Sequence, residues 1–138
     1  MKVINLGVDV DEKYFQFLDS EFEKYANKNG IECKYKPFTY IAEENNKTIG
    51  IITGKSYYDE VSIDDLIVSE EYRHNNIGSQ LVNTVISDFK NKGYRSVTLT
   101  TYEFQALEFY KKLGFQLEFS RENVENPKLT KYFLKKNY

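Results

Sequence analysis

Arg73, His74, Asn75, Asn76, Ile77, Gly78 and Ser79 stand together where a β-rich stretch gives way to a helical pattern. They lie within "EEYRHNNIGSQLVNTVISDF", Glu70–Phe89. A helix N-terminus carries unpaired backbone N–H groups and about half a positive charge. A tight loop feeding it from a strand can therefore cradle a phosphate. Such a loop needs residues that accept a positive φ and leave room for an anion. Gly78 meets both needs, Asn75 and Asn76 meet the first, and Arg73 adds a fixed cation. A plain helix cap built from Asn75 and Asn76 accounts for the same residues about equally well. The string is not a Walker loop, because the Gly-Lys-Ser/Thr ending is missing, and it lacks the glycine triplet of a dinucleotide fingerprint. Asp64 and Asp65 are adjacent carboxylates in an otherwise β-favouring run, where Asp is disfavoured. His74 is the only histidine and Cys33 the only cysteine, too few for a metal site; Cys33 reads as a structural or surface thiol.

The elements that must position these residues follow from periodicity. "KVINLGV" (Lys2–Val8) reads as a short strand, followed by Asp9 and Glu12 at capping-box spacing. Tyr14, Phe15, Leu18, Phe22, Tyr25 and Ala26 then form one helical face, stopped at Asn27–Gly30. Three strands are predicted next: Phe38–Glu44, a turn at Asn45–Asn46, Lys47–Ser56, then Val61–Val68. Strict alternation across the third puts Asp64 and Asp65 on opposite faces. The helix opened by the loop carries Ile77, Leu81, Val82, Val85, Ile86 and Phe89 on one side and is expected to run to Gly93. Tyr94–Thr101 is a further strand, so strand, helix and strand form a right-handed parallel crossover. A short helix, Phe104–Gly114, and closing strands at Phe115–Ser120 and Leu129–Lys136 complete the chain. The predicted class is α/β (α+β) with a mixed sheet: antiparallel N-terminal strands, then one parallel β-α-β crossover.

The totals narrow the function. A chain of 138 residues, with 41% hydrophobic and 29% charged residues, fits a single globular domain over residues 1–138. A net charge of -2 without a long basic run argues against a general grip on nucleic acid. No apolar run reaches the length of a membrane span, and Met1–Val10 does not read as a signal peptide. A single cysteine allows no internal disulfide and fits a reducing, cytoplasmic setting. Aromatics make up 16%, with 12 Tyr and 10 Phe, enough for a core and for an acceptor pocket or a homodimer interface. Tyr35, Tyr40, Tyr57, Tyr58 and Tyr102 are the candidates for such a pocket.

The string "LIVSEEYRHNNIGSQL" (Leu66–Leu81) resembles the cofactor-binding motif of the GNAT superfamily of acyl-CoA-dependent N-acyltransferases. That motif reads Gln/Arg-x-x-Gly-x-Gly/Ala after a strand; Arg73 matches its first position and Gly78 its last. "ALEFYKKLGF" (Ala106–Phe115) resembles the superfamily's second signature, and the order of elements agrees along essentially the whole chain. One position departs: Asn76 stands where the motif has its first glycine. The resemblance extends to small bacterial members.

The resemblance implies an acetyl-CoA-dependent N-acetyltransferase that needs no metal. It implies that the pyrophosphate sits on backbone N–H groups from His74 to Ser79. The pantetheine arm would pair like an added strand with Leu66, Ile67 and Val68, between two splayed parallel strands. Tyr110 matches the tyrosine that protonates the departing sulfur; core packing with Leu107 and Leu113 is its alternative. Asp64 is chosen over Asp65 as the base, against the alternative of a carboxylate held by hydrogen bonds. Gln105 would contact the pantetheine or the acetyl carbonyl, unless it caps the helix. The expected acceptor is a primary amine of a small molecule or peptide. A non-catalytic acyl-CoA-binding sensor or partner subunit is the alternative function, and a purely structural domain a third.

Overall fold

The computed structural model describes residues 1–138, which divide into two compact units, Met1–Lys34 and Tyr35–Tyr138. In the first, helix α1 spans Glu12–Lys28. Its cap is Asp11, whose side chain accepts the Lys13 N–H at 2.9 Å, and not Asp9 as the spacing suggested. The chain turns off the helix at Asn29 and Gly30, where φ is +72°, and the Ile31 N–H returns to the Ala26 carbonyl. Lys2–Val8 forms no strand. A strand needs a neighbour to take its backbone groups, and this segment pairs with none. On α1 only Ala26 is buried.

The second unit is a six-stranded mixed sheet in the order β1-β2-β3-β4-β6-β5. Its strands are β1 (Lys36–Glu44), β2 (Lys47–Tyr57), β3 (Glu60–Val68), β4 (Ser96–Tyr102), β5 (Gln116–Arg121) and β6 (Lys131–Asn137). Asn45 and Asn46, at φ +52° and +62°, join β1 to β2. Two left-handed residues give a hairpin turn whose twist matches its strands. Helix α2 (Ile77–Phe89) connects β3 to β4, which run parallel, as predicted. Helix α3 (Leu107–Lys112) precedes β5.

Both helices pack on one face of the sheet. Leu81, Val82 and Val85 of α2, with Tyr110 and Phe115, enclose Ile52, Val61, Ile63, Val97, Leu99 and Leu134. Two ends differ from expectation. Helix α2 stops at Phe89, where Lys90 turns to extended φ/ψ, so Gly93 (φ +91°) belongs to the following turn. Helix α3 begins at Leu107 because Tyr102–Gln105 is closed into a turn by the Gln105 N–H on the Tyr102 carbonyl.

The sheet is not continuous at its centre. Strands β3 and β4 pair over only three rungs, Glu60 with Ser96, Val61 with Val97 and Ser62 with Thr98. Beyond Ser62, β4 continues beside β6, while the edge of β3 that faced β4 has no strand partner. The cause lies on the other side of β3. Thr53 of β2 faces Asp65 and Gly54 faces Ile63, leaving Asp64 as an extra residue. Such a bulge bends its strand and raises the local twist, which carries β3 away from β4. Gly54 permits it: a Cβ there would lie 2.1 Å from the Ser62 carbonyl oxygen and 2.4 Å from the Phe38 ring.

Candidate active site

Where β3 and β4 part, a cavity of about 400 Å³ opens, within the range of small-molecule sites. Ser62, Ile63 and Asp64 line one wall and Thr98, Leu99 and Thr100 the other. Tyr57, Glu60, Glu118, Phe133 and Leu134 complete its lining. It takes residues from both faces of the sheet, as a slit between separated strands must.

The bulge revises the placement of the paired carboxylates. Core-facing residues are odd-numbered before it (Val61, Ile63), whereas after it the half-buried Leu66 and Val68 alternate with the exposed Ile67. Asp64 and Asp65 therefore share a face instead of opposing each other. Their partners confirm this: Lys55 Nζ donates to both Asp64 oxygens at 2.9 and 3.1 Å, and Thr53 Oγ1 donates to Asp65 Oδ2 at 2.9 Å. Thr53 and Lys55 are two apart on β2 and so on one side. The Asp64 hydrogen bond is the main cause raising the Lys55 ammonium above the usual lysine value. Lys55 carried no signal in the sequence, since a lysine in a strand is ordinary on a solvated face.

Glu60 was also not anticipated. Its Oε1 accepts from Thr98 Oγ1 and, at 3.4 Å, from the Tyr57 hydroxyl. Burial, then the Glu60 charge, raise the Tyr57 phenol above its ordinary value. Of the five tyrosines expected around a pocket, only Tyr57 lines this one. Tyr40 instead donates to Asp88 of α2 at 2.8 Å, and Tyr102 stacks on Phe104. Tyr58 meets Tyr57 edge-on and is exposed, as is Tyr35.

At the other end of the slit stands the N-terminus of α2. The first helical backbone bond runs from the Gln80 N–H to the Asn76 carbonyl, so the N–H groups of Ile77, Gly78 and Ser79 precede any intrahelical acceptor. Asn76 is the N-cap residue, left-handed at φ +61°, and its side chain makes no capping bond. The second left-handed residue is His74, at φ +68°, and not Asn75. The Asn75 amide braces the loop by donating to the Tyr72 and Arg73 carbonyls. Arg73 Nε donates to the Val68 carbonyl at 3.0 Å, tying the loop to the end of β3. Gly78 lies inside α2, and its φ is not positive. A Cβ there would meet Phe109 at 3.3 Å and Val68 at 3.8 Å. Its small size thus serves the approach of α2 to α3, and not a left-handed turn.

Tyr110 is 7% exposed and packs edge-on against Phe109 and Phe115. Burial pushes its phenol up to about 12. It comes from the helical side of the sheet, whereas Asp64 lies with Lys55 on the opposite side, and Tyr110 does not line the cavity that holds Asp64. Gln105 Oε1 accepts the Tyr102 N–H at 3.1 Å, so its carbonyl end closes the turn before α3. No group of three or more His, Cys, Asp or Glu side chains is placed to hold a metal ion. No helix is long and apolar enough to cross a membrane.

A mixed sheet split at a parallel pair, with a helix N-terminus facing the split, defines a class of acyl-group transferases, and residues 8–115 match the model of the acetyltransferase (GNAT) family. The chain belongs to that family. It is 32% identical over 82 residues to a Xenopus laevis protein described as "Probable N-acetyltransferase camello", across 56% of this chain. The chain spans 37% of the length of the curated relatives it matches. Among solved structures, an acetyltransferase from Bacillus cereus superposes with a TM-score of 0.76 at 26% identity, covering 99% of this chain and 98% of that one. Arabidopsis thaliana Naa50, in complex with the bisubstrate analogue CoA-Ac-MVNAL, shares the fold at a TM-score of 0.63 and 24% identity, over 72% of each chain.

Proposed function

We propose that this protein transfers an acetyl group from acetyl-CoA to a primary amine of a small molecule or peptide by direct attack. The observation that carries this reading is the slit between β3 and β4, with unpaired α2 N–H groups at one end and a carboxylate-lined cavity at the other. Structures related in fold include Naa50 with a CoA-containing analogue, which supports the choice of cofactor. Acetyl-CoA would supply an acyl group activated as a thioester.

The residues present fit that cofactor. The loop His74–Ser79 leads into the α2 terminus, where the free N–H groups of Ile77, Gly78 and Ser79 and the helix dipole would favour a pyrophosphate. The open edge of Leu66, Ile67 and Val68 offers backbone partners to an amide-bearing arm. Arg73, already held on Val68, adds positive charge beside the loop. Gln105 keeps its NH₂ end for the same arm.

The free amine nitrogen forms the new C–N bond as the C–S bond breaks, losing one proton and passing negative charge to sulfur; an acceptor that arrives as the ammonium first gives one further proton to solvent. A lysine-like amine, with a pKa near 10.4, is only about 0.04% free base at pH 7, a cost of roughly 4.6 kcal/mol. Asp64, on the cavity wall, is the group we assign to take the nitrogen's proton, with Lys55 fixing its orientation. We assign Tyr110 to the departing sulfur as a hydrogen-bond donor. Complete proton transfer from a phenol near 12 to a thiolate near 8.5 is uphill by about 5 kcal/mol, so it would stabilise the leaving group without ionising. A cytoplasmic setting fits the single free cysteine. A homodimer fits the edge strand β5, whose Leu117 and Phe119 are exposed.

Calorimetry with coenzyme A and a thiol-release assay with acetyl-CoA and an amine panel test the reading together. Binding with turnover is the expected result. Binding without turnover on any amine would favour an acyl-CoA sensor, and no heat from coenzyme A would remove the cofactor altogether.

A further inference from the structure

We infer that Glu60 is the specificity-determining residue that receives the acceptor's ammonium group at the apex of the cavity, where β3 and β4 still pair. The inference rests on the transferase reading above and assigns a residue to its acceptor side. Three carboxylates line the cavity: Glu60, Asp64 and Glu118. Two already hold a cation, Asp64 with Lys55 at 2.9 Å and Glu118 with Lys135 at 3.5 Å. Glu60 has only neutral partners, the hydroxyls of Thr98 and Tyr57, and both sit on Oε1. That leaves Oε2 to accept from a ligand.

The position suits the task. Thr98 pairs with Ser62 on the last rung before β3 and β4 separate. By reaching Thr98, the Glu60 carboxylate stands at the apex of the slit, where the two walls meet. An amine bound there lies beyond the end of a thioester arm entering from α2. Glu60 is half-buried, and a carboxylate removed from water without a counter-cation attracts one strongly. Tyr57 supplies the adjacent aromatic wall for the amine's alkyl stem. Phe133 is less available, since Arg121 and Lys131 already lie over its ring at 5.4 and 5.3 Å.

The test pairs Glu60→Gln with wild type, using n-butylamine as acceptor at neutral pH and n-butanol as its uncharged isostere in competition. In wild type, n-butanol should compete at least about tenfold more weakly than n-butylamine binds, the worth of one charge-assisted hydrogen bond. Glu60→Gln should raise the KM for n-butylamine about tenfold or more, with coenzyme A affinity unchanged; Asp64→Asn should act mainly on kcat. An unchanged KM in Glu60→Gln with normal turnover, or equal competition by n-butanol in wild type, would overturn the assignment. The competition arm needs no variant, so a misfolded Glu60→Gln leaves the assignment open to refutation. If wild-type protein binds no coenzyme A, or acetylates no amine, the transferase reading fails first and visibly, and the Glu60 assignment falls with it.

Discussion

Two residues concentrate the tension between local cost and function. Asn76 holds a left-handed φ of +61° at the head of α2, with no side-chain bond in return. A non-glycine residue there costs on the order of 1 kcal/mol, partly offset by the larger entropy glycine loses on folding. Asn76→Gly should therefore raise stability by up to about 1 kcal/mol in chemical denaturation, leaving coenzyme A affinity unchanged. A large rise in Kd would instead show the Asn76 amide donating to the ligand. Tyr110 poses the opposite question, since packing and chemistry both claim it. Tyr110→Phe keeps the ring against Phe115 and removes only the hydroxyl. The expected outcome is a kcat lower by about ten- to a hundredfold with acetyl-CoA affinity intact. An unchanged kcat, where chemistry limits the rate, would return Tyr110 to the core alone.

At the scale of elements, the bulge in β3 is the device on which the cavity depends. It needs one residue too many on β3 and no side chain opposite on β2. Gly54 meets the second condition, because a Cβ there would strike the Ser62 carbonyl, which is backbone and cannot rotate away. Gly54→Ala should destabilise the protein by about 1–3 kcal/mol or more, read from the urea midpoint. It should also weaken coenzyme A binding, since straightening β3 closes the slit. Wild-type stability in Gly54→Ala would mean that the bulge does not depend on this glycine. Gly78 works differently. Its neighbour at 3.3 Å is the far end of the Phe109 side chain and not backbone, so the same substitution there should cost less.

Across the whole molecule, three partly or fully shielded phenols set an alkaline limit. Burial lifts Tyr40, Tyr110 and Tyr138 from 10.0 to about 12, with the Asp88 bond and charge adding to the effect at Tyr40. Below pH 10 these groups are protonated whether the chain is folded or not, and their contribution is complete. Between pH 10 and 12 the unfolded chain ionises them while the native state does not, so stability falls as the pH rises. Thermal melts should show a declining Tm across that window, alongside a delayed tyrosinate absorbance in the native protein. A flat Tm from pH 9 to 12 would contradict the shielding of these hydroxyls.

Much of what depends on neighbours in the chain was legible in the residues themselves, although helix ends and caps shifted by a few positions. Asn45–Asn46 announces a hairpin, Gly30 ends α1, and the crossover through α2 follows from alternating β-branched and amphipathic runs. The loop from Arg73 to Ser79 resembles the family's motif because the task proposed for it falls to backbone groups whose conformation is largely local. What alternation could not supply was the side to which Asp64 and Asp65 turn. A single unpaired residue reverses every face after it, and whether it occurs is settled by the register against Gly54, ten residues away. The same holds for the partnership of Lys55 with Asp64, the reach of Glu60 to Thr98 and the fit of Gly78 to Phe109. Each joins residues distant in the chain, so only the assembled sheet and its helices could bring them within reach.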